Sequence, residues 1–492
     1  MQKYFQNFSS FFSCYPLGSW LTQLRITCQY FQEKHPTFLC ALYWLAGILA
    51  RTHADCCILI LVFLHPFLPR NPKQWFPLGL CWLVPLLISS PPFSHEGSAS
   101  GIFKVSYKGW GKTYYGEAIY LSTPCGKQTR HLSCKILSSL HLEPKKTYHL
   151  QGTLYHTSQN VFKSNSCYKE IPKSKFITTK EKLRETTSHY LISLFDSSQT
   201  GKFVSSLLLG TPLPKDLQEL FRNKGLSHLF AVSGWHFSLF SSIFWVFFSF
   251  FPIKIKNFVS FVILTSLTLL FPTSPSVWRA WIALSFLYFS TYSSGTCSGL
   301  NRLGLGFIFC SLFFSPFSPG FALSFLATLG ILLFFPILHT FFYTPWALLI
   351  ASPFWLHLIR YLMTIFAISL SAQIFLWLPL MYFFRSFPLD GIIYNLIFPL
   401  IMLPTIALIL TTVIFPSLAP LTHRVISWVI SNPWMSRPNL LVSVSFPPVS
   451  PWQLTLISSV LFFLGLAFTK SSFSGISYSD KVNYFTENLY PQ

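Results

Sequence analysis

Six polar residues stand almost alone inside long apolar runs of this sequence: His228, Ser233, His236, Arg279, Gln373 and Asn395. Inside a bilayer such residues are costly, and they face a bundle interior or a water-filled cavity rather than lipid. Together they offer uncharged hydrogen-bonding groups and one fixed cation, a set able to pass a polyanion without trapping it. On a helix, His228 and His236 would lie about 80° apart and about two turns along the axis. Ser233 falls one turn from His236, and Gly234 between them permits close helix approach. Plainer readings stand beside this one. His236 and Ser233 also suit an interhelical hydrogen bond, and Arg279, following the loop Pro272–Pro275, suits a snorkel to the interface. Gln373 and Asn395 also suit helix–helix glue.

A second set lies upstream. Phe103, Tyr107, Trp110, Tyr114 and Tyr115 interleave with Lys104, Lys108 and Lys112. Rings on which bases stack, beside cations that follow phosphates, are what sequence-neutral binding of single-stranded nucleic acid needs. The alternative is an ordinary barrel whose aromatics fill its core and whose lysines keep it soluble. The stretch Gly101–Ser122 alternates apolar and polar residues, with Gly109, Gly111 and Gly116 as expected turns, and Tyr148–His156 alternates likewise. This predicts a small antiparallel β domain over 98–165, of a size that fits a five-stranded barrel of the OB type. The Gly-Lys-Thr at Gly111–Thr113 is no phosphate-binding P-loop, because the glycine required five residues earlier is Ser106.

The elements that carry these residues follow from composition. Of 492 residues, 51% are hydrophobic and 10% charged, against about 25% charged in a soluble domain. The deficit predicts a polytopic α-helical membrane protein, with about eleven spans and the β domain inserted after an N-terminal helix trio. The runs Phe38–Ala50, Cys56–Leu68 and Trp75–Ile88 form that trio, and each is shorter than the usual span. Further runs extend from Leu226 to Phe468, and the one over Trp346–Phe383 is long enough for two segments broken near Arg360. The domains expected are a cytoplasmic segment 1–36, transmembrane helices 37–93, the β domain 98–165, a basic linker with amphipathic helices 166–225, a helical membrane domain 226–470 and a polar tail 471–492. The helices Glu181–Phe195 and Lys215–Lys224 read as lying on the membrane surface or on the bundle. With the N-terminus inside, three crossings place the β domain outside, and Arg70, Lys73, Lys254 and Lys256 inside.

Net charge is +21, and 97–225 holds 19 Lys/Arg against 8 Asp/Glu. Between Lys256 and Lys470 the only acid is Asp390. This balance suits an anionic partner and disfavours cation-coupled transport, which keeps intramembrane acids. Part of the excess also follows from the positive-inside rule. Eleven cysteines form no Cys-x-x-Cys pair and no metal spacing, so no metal, cofactor or catalytic group is expected. Cys125 and Cys134 would be able to bridge on an oxidising face. No cleaved leader is visible, and internal spans are expected to direct insertion.

Several segments resemble the ComEC family of DNA-uptake channels. Leu207–Leu239 resembles the family hallmark, an amphipathic helix leading into a Gly-Leu-Ser-His-Leu core. Here that core supplies Gly225, Leu226, Ser227, His228, Leu229, Ala231, Ser233, Gly234 and His236. Trp235 and Phe237 replace the usual Leu and Val. Pro275–Ala280, Ser318–Leu332, the Ser-x-x-Ala-Gln element ending at Gln373 with Pro379 beyond it, and the Asn-Leu-x-x-Pro element at Asn395 and Pro399 follow in the family's order. The resemblance implies a multi-pass protein of the bacterial inner membrane that carries single-stranded DNA into the cytoplasm. Implied partners are that DNA, membrane lipid, a periplasmic DNA receptor, and a cytoplasmic motor or DNA-binding proteins. Many members end in a metallo-β-lactamase-like domain. Here polar residues 471–492 follow the last run and no His-x-His-x-Asp-His motif occurs, so a nuclease is expected on a separate chain. Two rivals remain: a membrane enzyme or exporter of anionic lipid-linked glycans, and a degenerate channel that no longer transports.

Overall fold

The computed structural model describes residues 28–69, 75–88, 96–108, 113–124, 128–138, 142–143, 146–156, 160–170, 175–195, 198–226, 230, 234–290, 297–350, 352–384, 386–387, 390–431, 444–445 and 449–471. The chain divides into two compact units. One comprises Trp44–Cys57 and Leu80–Leu183, the other Met1–Tyr43, Ile58–Gly79 and Arg184–Gln492.

In the first unit the period-2 segments become five strands: β1 (Gly97–Lys108), β2 (Thr113–Ser122), β3 (Gln128–Ser138), β4 (Thr147–His156) and β5 (Asn160–Glu170). They close into a barrel in the order β1-β2-β3-β5-β4. Only β3 and β5 run parallel; every other neighbouring pair in the barrel is antiparallel. Because side chains alternate, one face of each strand fills the interior. Phe103, Val105, Tyr114, Ala118, Leu121, Ile136, Leu150, Leu154 and Phe162 form that core. Phe103 and Phe162 meet at 4.3 Å between ring centroids. Gly116 is not a turn. It lies inside β2, where a Cβ would meet the Lys104 carbonyl oxygen at 2.3 Å. Close strand approach, rather than chain reversal, selects glycine there. Cys134 is a free, buried thiol facing the same core, so no bridge to Cys125 forms; Cys125 itself lies outside the described residues.

The helices are α1 (Pro36–Thr52), α2 (Ala54–Leu64), α3 (Trp75–Ile88), α4 (Lys175–Ser193), α5 (Ser198–Leu209), α6 (Lys215–Asn223), α7 (Gly234–Phe247), α8 (Ile253–Leu267), α9 (Pro275–Phe289), α10 (Gly299–Ser311), α11 (Pro319–Leu349), α12 (Pro353–Phe384), α13 (Asp390–Ile414), α14 (Ala419–Ser431) and α15 (Pro451–Ser471). Among the described residues two helices, in α11 and α12, are long and apolar enough to cross a membrane, and shorter apolar helices surround them in the chain. Eleven spans are therefore not established by these helices. The break expected near Arg360 is absent. Instead α12 runs through Arg360, and the chain breaks at 350–352, where Ile350 turns extended ahead of Pro353. The ring of Pro353 disfavours the helical region at Ser352, the residue immediately before it, and the proline then starts the next helix. Inside α11, Pro336 and Pro345 are accommodated without ending the helix.

The amphipathic helix α6 lies on the bundle, with Lys215, Asp216, Gln218, Glu219 and Arg222 exposed on its outer face. Leu217 and Phe221 are buried in the helical core, with Phe221 edge-on to Phe398 at 5.6 Å. Gly225, with φ 70°, ends it: the Leu226 N–H returns to the Phe221 carbonyl at 2.8 Å. That positive φ is why the hallmark core opens with glycine.

Candidate functional site

Arg279 is the centre of the polar set. Ser274 caps α9 by accepting the Val277 N–H at 3.4 Å, and Pro275 opens the first turn, which places Arg279 one turn inside. Its stem lies against Gly306 of α10, where a Cβ would sit 3.7 Å from the arginine Cγ. The guanidinium carbon stands 6.0 Å from the Phe325 ring centroid. Nε donates to the Ser324 hydroxyl of α11 at 2.9 Å. Nη2 reaches to Gly234, the first residue of α7, and would lie 2.8 Å from any Cβ there.

Three separated motifs thus meet at one guanidinium. The Ser-Gly-x-His core supplies Gly234, the Ser-Val-x-Arg-Ala segment supplies Arg279, and the Ser-Pro-Gly-Phe segment supplies Ser324. Both terminal nitrogens lack an acceptor among the described residues. No described carboxylate pairs with the charge, and the sequence holds just one acid, Asp390, between 256 and 470. In addition, α7, α9 and α11 all begin near this point, at Gly234, Pro275 and Pro319. Helix N-termini carry partial positive charge. Their sum with Arg279 makes a region that favours an anion.

The remaining residues of the set are placed unevenly. His236 lies two residues into α7 and is buried, 1% exposed. Gln373 lies in α12 with its buried Oε1 lacking a hydrogen-bond partner, and among the described residues no hydrogen bond joins it to Arg279. Asn395 lies in α13, with its side chain outside the described residues, as His228 and Ser233 are entirely. Ser324 falls within the Ser318–Leu332 segment of the resemblance, which gives it no role of its own, and Gly306 falls in none of the segments. A glycine in an apolar helix carries no signal until its tertiary neighbour is known.

On the barrel, the expected stacking set needs correction. Phe103 and Tyr114 are core residues, 0% and 2% exposed, and the Tyr114 hydroxyl accepts the Leu142 N–H at 3.2 Å. Neither ring can stack on a base. Lys104 is exposed and sits opposite Glu117. Tyr107 and Lys108 lie in β1, with side chains outside the described residues, and Trp110 and Lys112 lie outside altogether. The register instead reveals a row across three strands: Tyr107 of β1 pairs with Tyr115 of β2, which pairs with Lys135 of β3. Tyr115 and Lys135 are half-buried, with the core residues Tyr114, Cys134 and Ile136 beside them in sequence. No group of three or more metal-ligating side chains occurs among the described residues.

Among models of protein families, the one described as Competence protein matches residues 207–471. Comparison with curated proteins and with solved structures gave no match.

Proposed function

Since this chain belongs to the competence protein family, we propose that it is the inner-membrane channel through which single-stranded DNA enters the cytoplasm. One observation carries the reading: the helical domain's polar convergence is a cation with no carboxylate partner among the described residues, set where three helices begin. A polyanion crossing a bilayer needs positive potential along its path but no acids to repel it.

The barrel supports the same reading. A five-stranded closed barrel with one parallel pair fits the OB type, whose second and third strands commonly carry single strands. Tyr115 and Lys135, paired across the second and third strands and half-buried, offer a ring to a base and a cation to phosphate. In this proposal the barrel receives the strand and the helical domain conducts it. A periplasmic DNA receptor delivers the duplex, a separate nuclease removes one strand, and a cytoplasmic motor or DNA-binding protein supplies the work.

The test follows fluorescent double-stranded DNA separately in periplasm and cytoplasm, in cells lacking the gene and in cells with it restored. Loss of cytoplasmic entry alone, recovered by the wild type, is expected. Unchanged cytoplasmic entry in the deletion strain overturns the proposal and favours handling of an anionic envelope polymer.

A further inference from the structure

We propose that Arg279, presented between Gly234, Gly306 and Ser324, is a phosphodiester-binding site that grips the backbone of the passing strand one phosphate at a time. This rests on the DNA-channel reading and gives it a contact point.

A charge taken out of water without a partner is strongly unfavourable. Arg279 is half-buried, and its neighbours are interior: Ala280 is 5% exposed, Phe325 6% and Cys310 0%. Its Nε is committed to Ser324, which fixes the plane of the guanidinium. Among the described residues both terminal nitrogens have no acceptor, and a planar fork with two donors matches a phosphate's two non-bridging oxygens. The helix beginnings at Gly234, Pro275 and Pro319 reinforce the preference for an anion.

The two glycines give the site its selectivity. A Cβ at position 234 would come within 2.8 Å of Nη2, and one at 306 within 3.7 Å of Cγ, so bare backbone leaves the guanidinium uncovered on one flank and its stem closely packed on the other. Ser324 is a positioning residue, acting through Nε. One arginine, rather than a ladder of them, also suits conduction, because a single phosphate contact is released as the next arrives. Lipid headgroup phosphate has the same chemistry, but the surroundings are interior side chains rather than the exposed rings of the outer faces, such as Phe247 and Phe341.

The test uses the full chain in phosphatidylcholine nanodiscs with Gly320→Cys. Position 320 lies one turn before Ser324 on the same helix, and a Cβ there meets nothing within 4 Å. The probe is a short oligothymidylate carrying one bromoacetyl group on a backbone phosphorothioate, and peptide mass spectrometry locates the alkylated thiol. Alkylation at position 320 is expected, blocked by untagged phosphodiester strand and not by an uncharged methylphosphonate strand. Arg279→Gln should slow it about tenfold or more, Arg279→Lys less so. Gly234→Ala, which keeps the charge but fills the space, should slow it comparably. Iodoacetamide, small and neutral, should modify position 320 equally in all variants, reporting unchanged fold and access. Equal alkylation by the strand in Arg279→Gln and Gly234→Ala overturns the site, as does its abolition when phosphatidylglycerol is added to the disc, which would assign the guanidinium to lipid. A strand that binds the barrel but never alkylates position 320 sinks this site and leaves the channel reading standing. A strand that binds nowhere sinks both.

Discussion

Asn301 of α10 accepts the backbone N–H of Phe38 at 3.3 Å across 263 residues of sequence, and its Nδ2 donates to the Lys34 carbonyl at 3.0 Å. Lys34 and Phe38 are four apart, the spacing of a helical hydrogen bond, and one carboxamide stands between them. Residues 28–34 are also helical, the helix is interrupted at His35, which meets the Ser298 hydroxyl at 2.7 Å, and Pro36 starts α1. A side chain inserted into the helical ladder is a recognised cause of a kink. The N-terminal helices are thereby tied to the start of α10, whose next turn carries Gly306 against Arg279.

Asn301→Ala removes both halves of that bridge and leaves two backbone groups without it. A loss of about 1–3 kcal/mol is expected. Asn301→Asp should recover the acceptor half only. Thermal unfolding of the detergent-solubilised chain, read alongside limited proteolysis before Pro36, checks the order wild type, Asp, Ala. Equal melting of all three would mean the bridge contributes nothing.

Two glycine substitutions should separate fold from function. A Cβ at Gly330 would stand 2.4 Å from the Ser371 carbonyl oxygen, so Gly330→Ala must push α11 and α12 apart. At Gly234 the nearest atom is the flexible end of Arg279, which can swing away. Gly330→Ala should therefore lower protein level and thermal stability, by about 1–3 kcal/mol for overpacking. Gly234→Ala should keep both and lose cytoplasmic DNA entry. Western blots, melting curves and transformation frequencies measured together decide it; a Gly330→Ala chain as stable as wild type would refute the packing argument.

On the barrel, the corrected face makes an opposing pair of predictions. Tyr115→Ala with Lys135→Ala should weaken binding of single-stranded DNA to the full chain by about 1–3 kcal/mol and flatten its salt dependence, while the barrel stays folded. Phe103→Ala should instead cost about 3–5 kcal/mol of barrel stability, because it empties a ring that packs on Phe162. Titrations at several salt concentrations distinguish them. If Phe103→Ala weakens binding without altering the fold, the original stacking assignment was right after all.

The sequence made some of this legible for definite reasons. Period-2 alternation exposes a barrel because each strand has one dry face, and lysines such as Lys104 and Lys163 mark its wet face, while Gly101, Gly116 and Gly152 share the parity of the core residues. Alternation also put Phe103 and Val105 on one side and Lys104 on the other, yet burial of Phe103 follows only from knowing which side is interior. Between Val105 and Tyr107 an irregularity shifts the pairing register, which alternation alone does not announce. In the helical domain, apolar composition hides boundaries: the stop at Ile350 depends on local dihedrals ahead of Pro353, and Arg360, which looked like a break, rests 6.0 Å from the Tyr343 ring inside a continuous helix. Arg279 was visible as a rare charge. Ser324 was visible as a member of the Ser318–Leu332 segment but not its partnership with Arg279, and Gly306 was not visible, because small residues acquire meaning only from what the fold brings beside them.

Cys134 gives the barrel a pH signature. Burial pushes its thiol up from 9.0 to about 12, with Glu117 adding in the same direction and a backbone hydrogen bond at Ala118 opposing. The folded barrel therefore holds this proton more tightly than the unfolded chain does. Stability from this group is fully present below the unfolded thiol's pKa and is lost as pH rises toward about 12. Above pH ~9 each further unit should cost about 1.4 kcal/mol through this residue. Cys134→Ala should be less stable than wild type at pH 7, through lost packing, and should show a shallower alkaline decline. At pH 8 the native thiol should resist iodoacetamide and react once the barrel is denatured. Rapid labelling in the native protein would place the thiol outside the core, and a mass two hydrogens lower on the peptide joining it to Cys125 would restore the disulfide that the structure lacks.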